Sequence, residues 1–331
     1  MLLNGHDAQA LQQAAQALAQ GELVAMPTET VYGLAARADD DAAVAKIFAA
    51  KGRPADHPLI VHVLDAADAA CFAAELPQTA RALMQAFWPG PLTVIVPRAP
   101  GVAEAAAGGQ ATVGLRSPAH PVARQLLAAA HALGVHGVAA PSANRFGRVS
   151  PTQARHVQDE FGDALRVLDG GDCHVGIESA IVDCSREFPV LLRPGVLTAA
   201  QLEAVLGQPL RERDAAAPKA SGTLEAHYAP TATVRLKSAE QIFAALASFT
   251  GGWPAGLAVY SRSVPAQQTA PTAFWRAMPT DALAAAQELF TVLRELDAAG
   301  VREIWVETPP PDSAWAGVLD RLSRAAAAFE P

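Results

Sequence analysis

Short apolar runs that each meet a polar or cationic turn restrict this chain's fold most. Glu22 to Pro27 leads into Thr28-Glu29-Thr30, and Leu59 to Val63 follows Lys51-Gly52-Arg53-Pro54 closely. Thr112 to Arg116 ends on an arginine, and Gly137 to Ala140 ends in Pro141-Ser142-Ala143-Asn144. Runs of this length, bounded by Gly and Pro, suit buried strands better than helices. Further strands are expected at about 92–96, 165–168, 178–183 and 188–192. Helical stretches lie between them, at about 8–20, 41–50, 66–74, 77–87, 119–132 and 198–206, with Asp39-Asp40-Asp41 as cap and first-turn charges for the second. Ser150-Pro151 is expected to open another helix, proline being well placed in a first turn. Helices and strands mixed without strict βαβ alternation predict an α/β open sheet, partly antiparallel.

A length of 331 residues favours two domains over one. The boundaries read as 1–207 for the larger domain, 208–230 for a linker marked by Arg211-Glu212-Arg213-Asp214 and Ala215-Ala216-Ala217-Pro218, and 231–331 for a second α/β unit. That unit is expected to run strand (232–236), helix (239–249), strand (256–260), strand (272–277), helix (281–298), strand (302–307), helix (313–328). Net charge is −8, and both parts are mildly acidic, so neither has the basic balance of a nucleic-acid-binding domain. Cys71, Cys173 and Cys184 form no CxxC pair and suit reduced thiols of a cytoplasmic protein. Cys173-His174 has no second pair at finger spacing, so no metal ligand is assigned. The first residues lack a basic n-region, and the longest apolar stretch is broken by charges, which predicts neither a leader nor a membrane span.

Neither GxxxxGK[ST] nor GxGxxG occurs, so any nucleotide must be held by a less general device. Only four lysines exist, and Lys51 stands two residues from Arg53 in what reads as a turn. Side by side, an ammonium and a guanidinium repel each other unless an anion lies between them, which points to a phosphate or carboxylate ligand. Thr28, Glu29 and Thr30 end a strand, where open α/β sheets place ligands; taken alone, an ordinary polar turn is the better reading. His57 and His62 flank one apolar run, and His62 is within reach of that site. Arg116 must reach solvent or meet an anion, as a ligand clamp or a structural ion pair. Ser142, Asn144 and Ser150 supply hydroxyl and amide groups ahead of the expected helix start. Ser179 and Arg193 sit on a hairpin-like pair of runs, and Tyr228 is an aromatic in the linker, either an anchor or a lid.

Taken in order, Pro27-Thr-Glu-Thr-Val-Tyr-Gly-Leu34, Lys51-Gly-Arg-Pro54, Pro58-Leu-Ile-Val-His-Val63, Pro89-Gly-Pro-Leu-Thr93, Ala140-Pro-Ser-Ala-Asn144, Ser150-Pro-Thr152, Arg193-Pro-Gly195 and His227-Tyr-Ala-Pro230 resemble the threonylcarbamoyl-AMP synthase family in its two-domain form. That resemblance implies a YrdC-type open twisted mixed sheet with flanking helices, plus a smaller Rossmann-like C-terminal domain. It implies that L-threonine, bicarbonate or CO2, and ATP with Mg2+ give threonylcarbamoyl-AMP and pyrophosphate. Other proteins would then transfer the threonylcarbamoyl group to tRNA, with tRNA binding by this chain weak or absent. Thr30, His62, Arg116, Ala140 and Ser179 would line a threonine pocket. Arg53, His57, Thr112, Ser142, Asn144, Ser150, Arg193 and Tyr228 would hold ATP, and Lys51 and Arg53 would act in catalysis. The linker would cover the site.

Two departures from the family stand out. His57 replaces the asparagine usual before Pro-Leu, and Ser221-Gly222-Thr223-Leu224-Glu225-Ala226 lacks the basic residues often found in the linker. A competing reading is a double-stranded RNA or tRNA-binding module of YrdC type, which the acidic balance opposes. A carbamoyl-phosphate enzyme on the same fold would need acylphosphatase and zinc-finger segments that this sequence lacks.

Overall fold

The computed structural model describes residues 1–249, 252–266 and 274–329. They fall into two units, Met1–Phe146 with Ser150–Thr223, and Gly147–Val149 with Leu224–Pro331.

The first unit is built on β1 (Leu2–Asn4), β2 (Val24–Met26), β3 (Gly33–Arg37), β4 (Ile60–Val63), β5 (Leu92–Pro97), β6 (Thr112–Arg116), β7 (Gly137–Ala139), β8 (Arg166–Asp169), β9 (Ala180–Asp183) and β10 (Val190–Arg193). They form one mixed sheet in the order β1-β8-β2-β3-β7-β4-β6-β5-β9-β10. Its helices are α1 (Ala8–Ala19), α2 (Asp41–Lys51), α3 (Ala66–Ala69), α4 (Gln78–Phe87), α5 (Pro121–His131), α6 (Ala154–Phe161) and α7 (Ala199–Leu206).

Alternation along the strands assigns the two faces. Ala25, Leu34, Val61, Val94, Leu115 and Val182 point into a core shared with α2, α4, α6 and α7. Their strand neighbours Val24, Met26, Ala35 and Val138 point the other way, into a core with α1 and α5. Alanines of α1 and α5, among them Ala14, Ala15, Ala123 and Ala130, are buried there. Further along that second face, Ile60, Ile95, Ile181 and Leu192 form an apolar patch covered by Ala217 and Ala220.

Four sequence expectations change. β3 was not anticipated, because Gly-Leu-Ala-Ala-Arg has no β-branched residue; its small side chains suit a strand buried on both faces. β1 was also missed; it is a three-residue edge strand paired in parallel with β8. The helix expected from 66 to 74 stops at Ala69, and Ala74 N–H instead donates to Pro97 O at 2.9 Å. No helix opens at Ser150-Pro151: α6 starts at Ala154. Pro151 O accepts from Tyr32 N–H at 2.8 Å and Thr152 O from Cys173 N–H at 3.0 Å. Those main-chain bonds hold the segment extended ahead of α6.

The second unit has an all-parallel sheet, β11 (Thr233–Lys237), β12 (Leu257–Ser261), β13 (Trp275–Ala277) and β14 (Glu303–Glu307), in the order β11-β14-β12-β13. Helices α8 (Ala239–Ala247), α9 (Ala282–Ala298) and α10 (Ala316–Ala327) accompany it. Positions 272 and 273 of the expected strand lie outside the described residues.

Candidate functional site

The pleat that sends Val61, Leu115 and Val94 into one core turns His62, Arg116 and Thr93 onto the opposite face. β4 and β6 are parallel with His62 opposite Arg116, and β9 lies parallel to β5, so Ser179, just before β9, comes beside Thr93. The two hydroxyls are 2.8 Å apart. Arg193 at the end of β10 donates to Ser179 O at 3.0 Å and to its Oγ at 3.2 Å, and also to Ser221 O at 2.9 Å. Buried polar groups are thus concentrated where helices leave the face open.

Arg116 is 3% exposed, and its guanidinium donates to Glu29 Oε1 at 2.6 Å. Ala119 N–H donates to the other oxygen of Glu29 at 3.0 Å. The carboxylate partner of Arg116 is therefore Glu29 of the Thr-Glu-Thr turn, which sequence reasoning singled out as a turn but did not pair with Arg116. That turn is set by Thr28, whose hydroxyl donates to Val31 O at 2.6 Å and lies 2.8 Å from the hydroxyl of Thr30. His62 is buried, with Nδ1 3.2 Å from Ile60 O. Burial, then the adjacent Arg116 charge, pushes its pKa down to about 3, so the ring is neutral.

Lys51 is not in a turn: it is the last residue of α2, 3% exposed, and Gly52 after it takes the left-handed conformation that ends the helix. Its ammonium donates to Ser142 O at 2.6 Å and Asn144 O at 2.5 Å, tying α2 to the loop after β7. Burial, then Arg53, holds its pKa well below the usual lysine value. Ala140 N–H donates to Ile60 O at 3.0 Å, which places this loop at the start of β4. Arg53 Nη2 donates to Pro58 O at 3.0 Å, with the guanidinium 5.7 Å from the Phe146 ring centroid. His57 has its pKa lowered by partial burial and by Arg53. Ser150 donates to Glu178 Oε1 at 2.5 Å.

Thr112 lines a cavity of about 20 Å³ with Pro58, Ile60, Thr93, Gly114, Ile181 and the segment Lys219–Ser221. Gln110 holds that segment through both main-chain groups of Lys219, at 2.9 and 3.2 Å, and the Lys219 ammonium reaches Asp56 at 2.7 Å. Residues 217–221 thus lie across the strands that carry Ile60, Thr93 and Ile181.

Tyr228 belongs to the second unit. It is 1% exposed, stacked on Phe290 with centroids 5.5 Å apart, and Arg321 lies 5.5 Å from its ring centroid. Those contacts are the contacts of an anchor.

The class is an α/β protein with a mixed open sheet whose cations and hydroxyls gather at the ends of neighbouring strands, where such sheets place ligands. A family profile described as "Telomere recombination" matches residues 16–195, and one described as "Threonylcarbamoyl-AMP synthase, C-terminal domain" matches residues 197–327. The threonylcarbamoyl-AMP synthase of Pyrococcus abyssi is 38% identical over 94% of this chain and 92% of its own length. That of Bacillus subtilis is 42% identical over 68% of this chain and 65% of its own. The crystal structure of P. abyssi Sua5 complexed with L-threonine superposes with a TM-score of 0.87 at 34% identity, covering 99% of this chain and 98% of that one. The chain belongs to the threonylcarbamoyl-AMP synthase family.

Proposed function

We propose that this chain makes threonylcarbamoyl-AMP and pyrophosphate from L-threonine, CO2 or bicarbonate, and ATP, supplying tRNA modification. The observation that carries this reading is the layout of the sheet face. His62 lies opposite Arg116 at the ends of β4 and β6, Arg116 holds Glu29, the chain neighbour of Thr30, and Ser179 bonds Thr93 on the adjacent β5. Lys51, Arg53 and the Ala140–Asn144 loop gather at the start of β4. Ile60 and His62 are two residues apart, about 7 Å along a strand, which suits two substrates meeting end to end.

At the first group, threonine's carboxylate would replace Glu29 as the partner of Arg116, and Ser179 and Thr30 would take its hydroxyl and amine. Neutral His62 accepts or donates a hydrogen bond without adding charge. At the second, Arg53, His57, Thr112, Ser142, Asn144, Ser150 and Arg193 would hold the nucleotide, and the resemblance adds Tyr228. The amine of threonine is itself the nucleophile. It captures CO2 and loses a proton to give the carbamate. A carbamate oxygen then bonds to the α-phosphorus as the bond to pyrophosphate breaks, in line. Two anions must approach, and Lys51 and Arg53 offset their repulsion in a site that excludes water.

Mg2+ is proposed as part of the Mg·ATP substrate. The buried carboxylates nearest these groups, Glu29 and Glu178, are engaged by Arg116 and Ser150, which suits an ion held mainly by triphosphate oxygens and water. The segment 217–221 is proposed as a cover that shifts when the nucleotide enters. The test is pyrophosphate release with Mg·ATP and bicarbonate, each amino acid supplied in turn. Threonine-dependent release is expected; release that is indifferent to the amino acid refutes the reading.

A further inference from the structure

Away from that face, three elements bring four ligand-type side chains together. Asp68 on α3 is 4% exposed. His131, the last residue of α5, places Nδ1 2.9 Å from Asp68 Oδ1. His136, one residue before β7, places its own Nδ1 3.1 Å from the same oxygen. The two imidazoles meet edge to face with centroids 4.9 Å apart. Cys71, three residues after Asp68, is exposed, and the ligand atoms of Asp68, Cys71 and His136 all lie within 4.8 Å of one another.

The geometry points to a transition-metal site, with Zn2+ the ion whose chemistry fits best. The Asp68 carboxylate, the Cys71 thiolate and the His136 imidazole supply three donors of the kind zinc prefers, and His131, bonded to the same carboxylate, would turn in as the fourth. His131-x4-His136 falls within the histidine separation usual in zinc sites, and Asp68-x-x-Cys71 places a carboxylate and a thiol three residues apart. A lone His–Asp pair needs neither a second imidazole on the same oxygen nor a thiol beside it. Both imidazoles are nearly half exposed, so an ion can enter from solvent.

Binding needs little movement. Each Nδ1 already faces the carboxylate, so the ion takes the place of the shared hydrogen bonds. Bound through Nδ1, each imidazole carries its remaining proton on Nε2. The Cys71 thiol releases one proton to water as its sulfur bonds the metal. Zinc, one carboxylate and one thiolate then sum to zero charge, a favourable outcome at a mostly buried carboxylate. The ion would fasten α3 and the end of α5 to the start of β7, four residues ahead of Ala140. This site is independent of the proposed synthase chemistry.

The metal-free full chain, without nucleotide, is titrated with Zn2+ against a chromophoric chelator and, separately, with Co2+. One equivalent is expected to bind, Co2+ giving a thiolate charge-transfer band. Cys71 is the one exposed cysteine of three, so one equivalent of Zn2+ should shield it from a thiol reagent under native conditions. Cys71→Ser should abolish the band. His136→Ala should weaken affinity by at least about 100-fold, the upper end of what losing an outer-shell partner costs. Both positions are at the surface, and the native-chain spectrum stands without either variant. A thiol that stays reactive with Zn2+ present, or equal affinity in native and His136→Ala chains, overturns the site and leaves a hydrogen-bonded His–Asp–His cluster.

Discussion

The two units bury charge in opposite ways. In the second, Glu307 at the end of β14 is closed off within its own neighbourhood. It accepts from Ser261 Oγ at 2.6 Å, from Arg262 and Ser263 N–H at 2.8 Å each, from Ser263 Oγ at 2.7 Å, and from the Arg262 guanidinium at 2.8 Å. Burial pushes its pKa up, but those hydrogen bonds prevail and the net shift is downward. In the first unit, Lys51 is equally buried, yet its hydrogen bonds go to two carbonyl oxygens, which orient the ammonium without cancelling its charge. A buried carboxylate that collects five donors is a structural device. A buried ammonium held by dipoles, its pKa lowered by burial and then by Arg53, fits the proposed anion site.

The comparison breaks first at Lys51. Lys51→Ala should cut threonine-dependent pyrophosphate release by about 100-fold or more, the scale of losing one aimed electrostatic donor; near-normal release would mean the ammonium only ties α2 to its loop. Next, Arg116→Ala should raise KM for threonine by about 10- to 100-fold, matching the roughly 1.5–3 kcal/mol of hydrogen bonds to a charged group. Glu29→Gln should leave the chain folded with a smaller change, measured in the same assay. In the second unit, Ser261→Ala should destabilise the folded state by about 1–3 kcal/mol in a denaturant melt, with turnover per folded molecule unchanged.

A pH test sharpens the contrast further. His62 has a folded pKa of about 3, below the ordinary histidine value of 6.5, so the unfolded chain binds more protons between those values. Its contribution is fully present above pH 6.5 and is lost as pH falls toward 3, at no more than about 1.4 kcal/mol per pH unit. His62→Asn should flatten the loss of stability in that window; an unchanged slope would show that the ring is already protonated. The smallest effect is expected at His57. His57→Asn restores the side chain usual in the family, and turnover at pH 8 should change less than about threefold, since the histidine, with its lowered pKa, is already uncharged there.

Much of the fold was legible from local pattern. β4, β5, β6 and β10 lie within a residue or two of the apolar runs that announced them, and α1, α2 and α5 match their helical stretches. β3 was invisible because alanine-rich sequence carries no strand signal, and the sheet overrode its propensity. Ser150-Pro151 looked like a helix start, and only backbone pairing with Tyr32 and across to Cys173 prevents one. Within the candidate site, Lys51, Arg53, His62, Arg116, Ser179 and Arg193 stood out as polar residues beside apolar runs. The pairing of Glu29 with Arg116 and the role of Thr93 did not, because each depends on a partner 87 or 86 residues away.

Sequence alone therefore determined where most strands and helices begin, which residues interrupt them with charge, and, through eight ordered motifs, which family they resemble. Tertiary structure decided which charges meet. Arg116 finds Glu29, Lys51 finds the carbonyls of Ser142 and Asn144, and His131 and His136 converge on Asp68. The reason is physical: periodicity is a property of neighbours along the chain, whereas an ion pair or a donor cluster depends on sheet register and helix placement, which only the folded core sets.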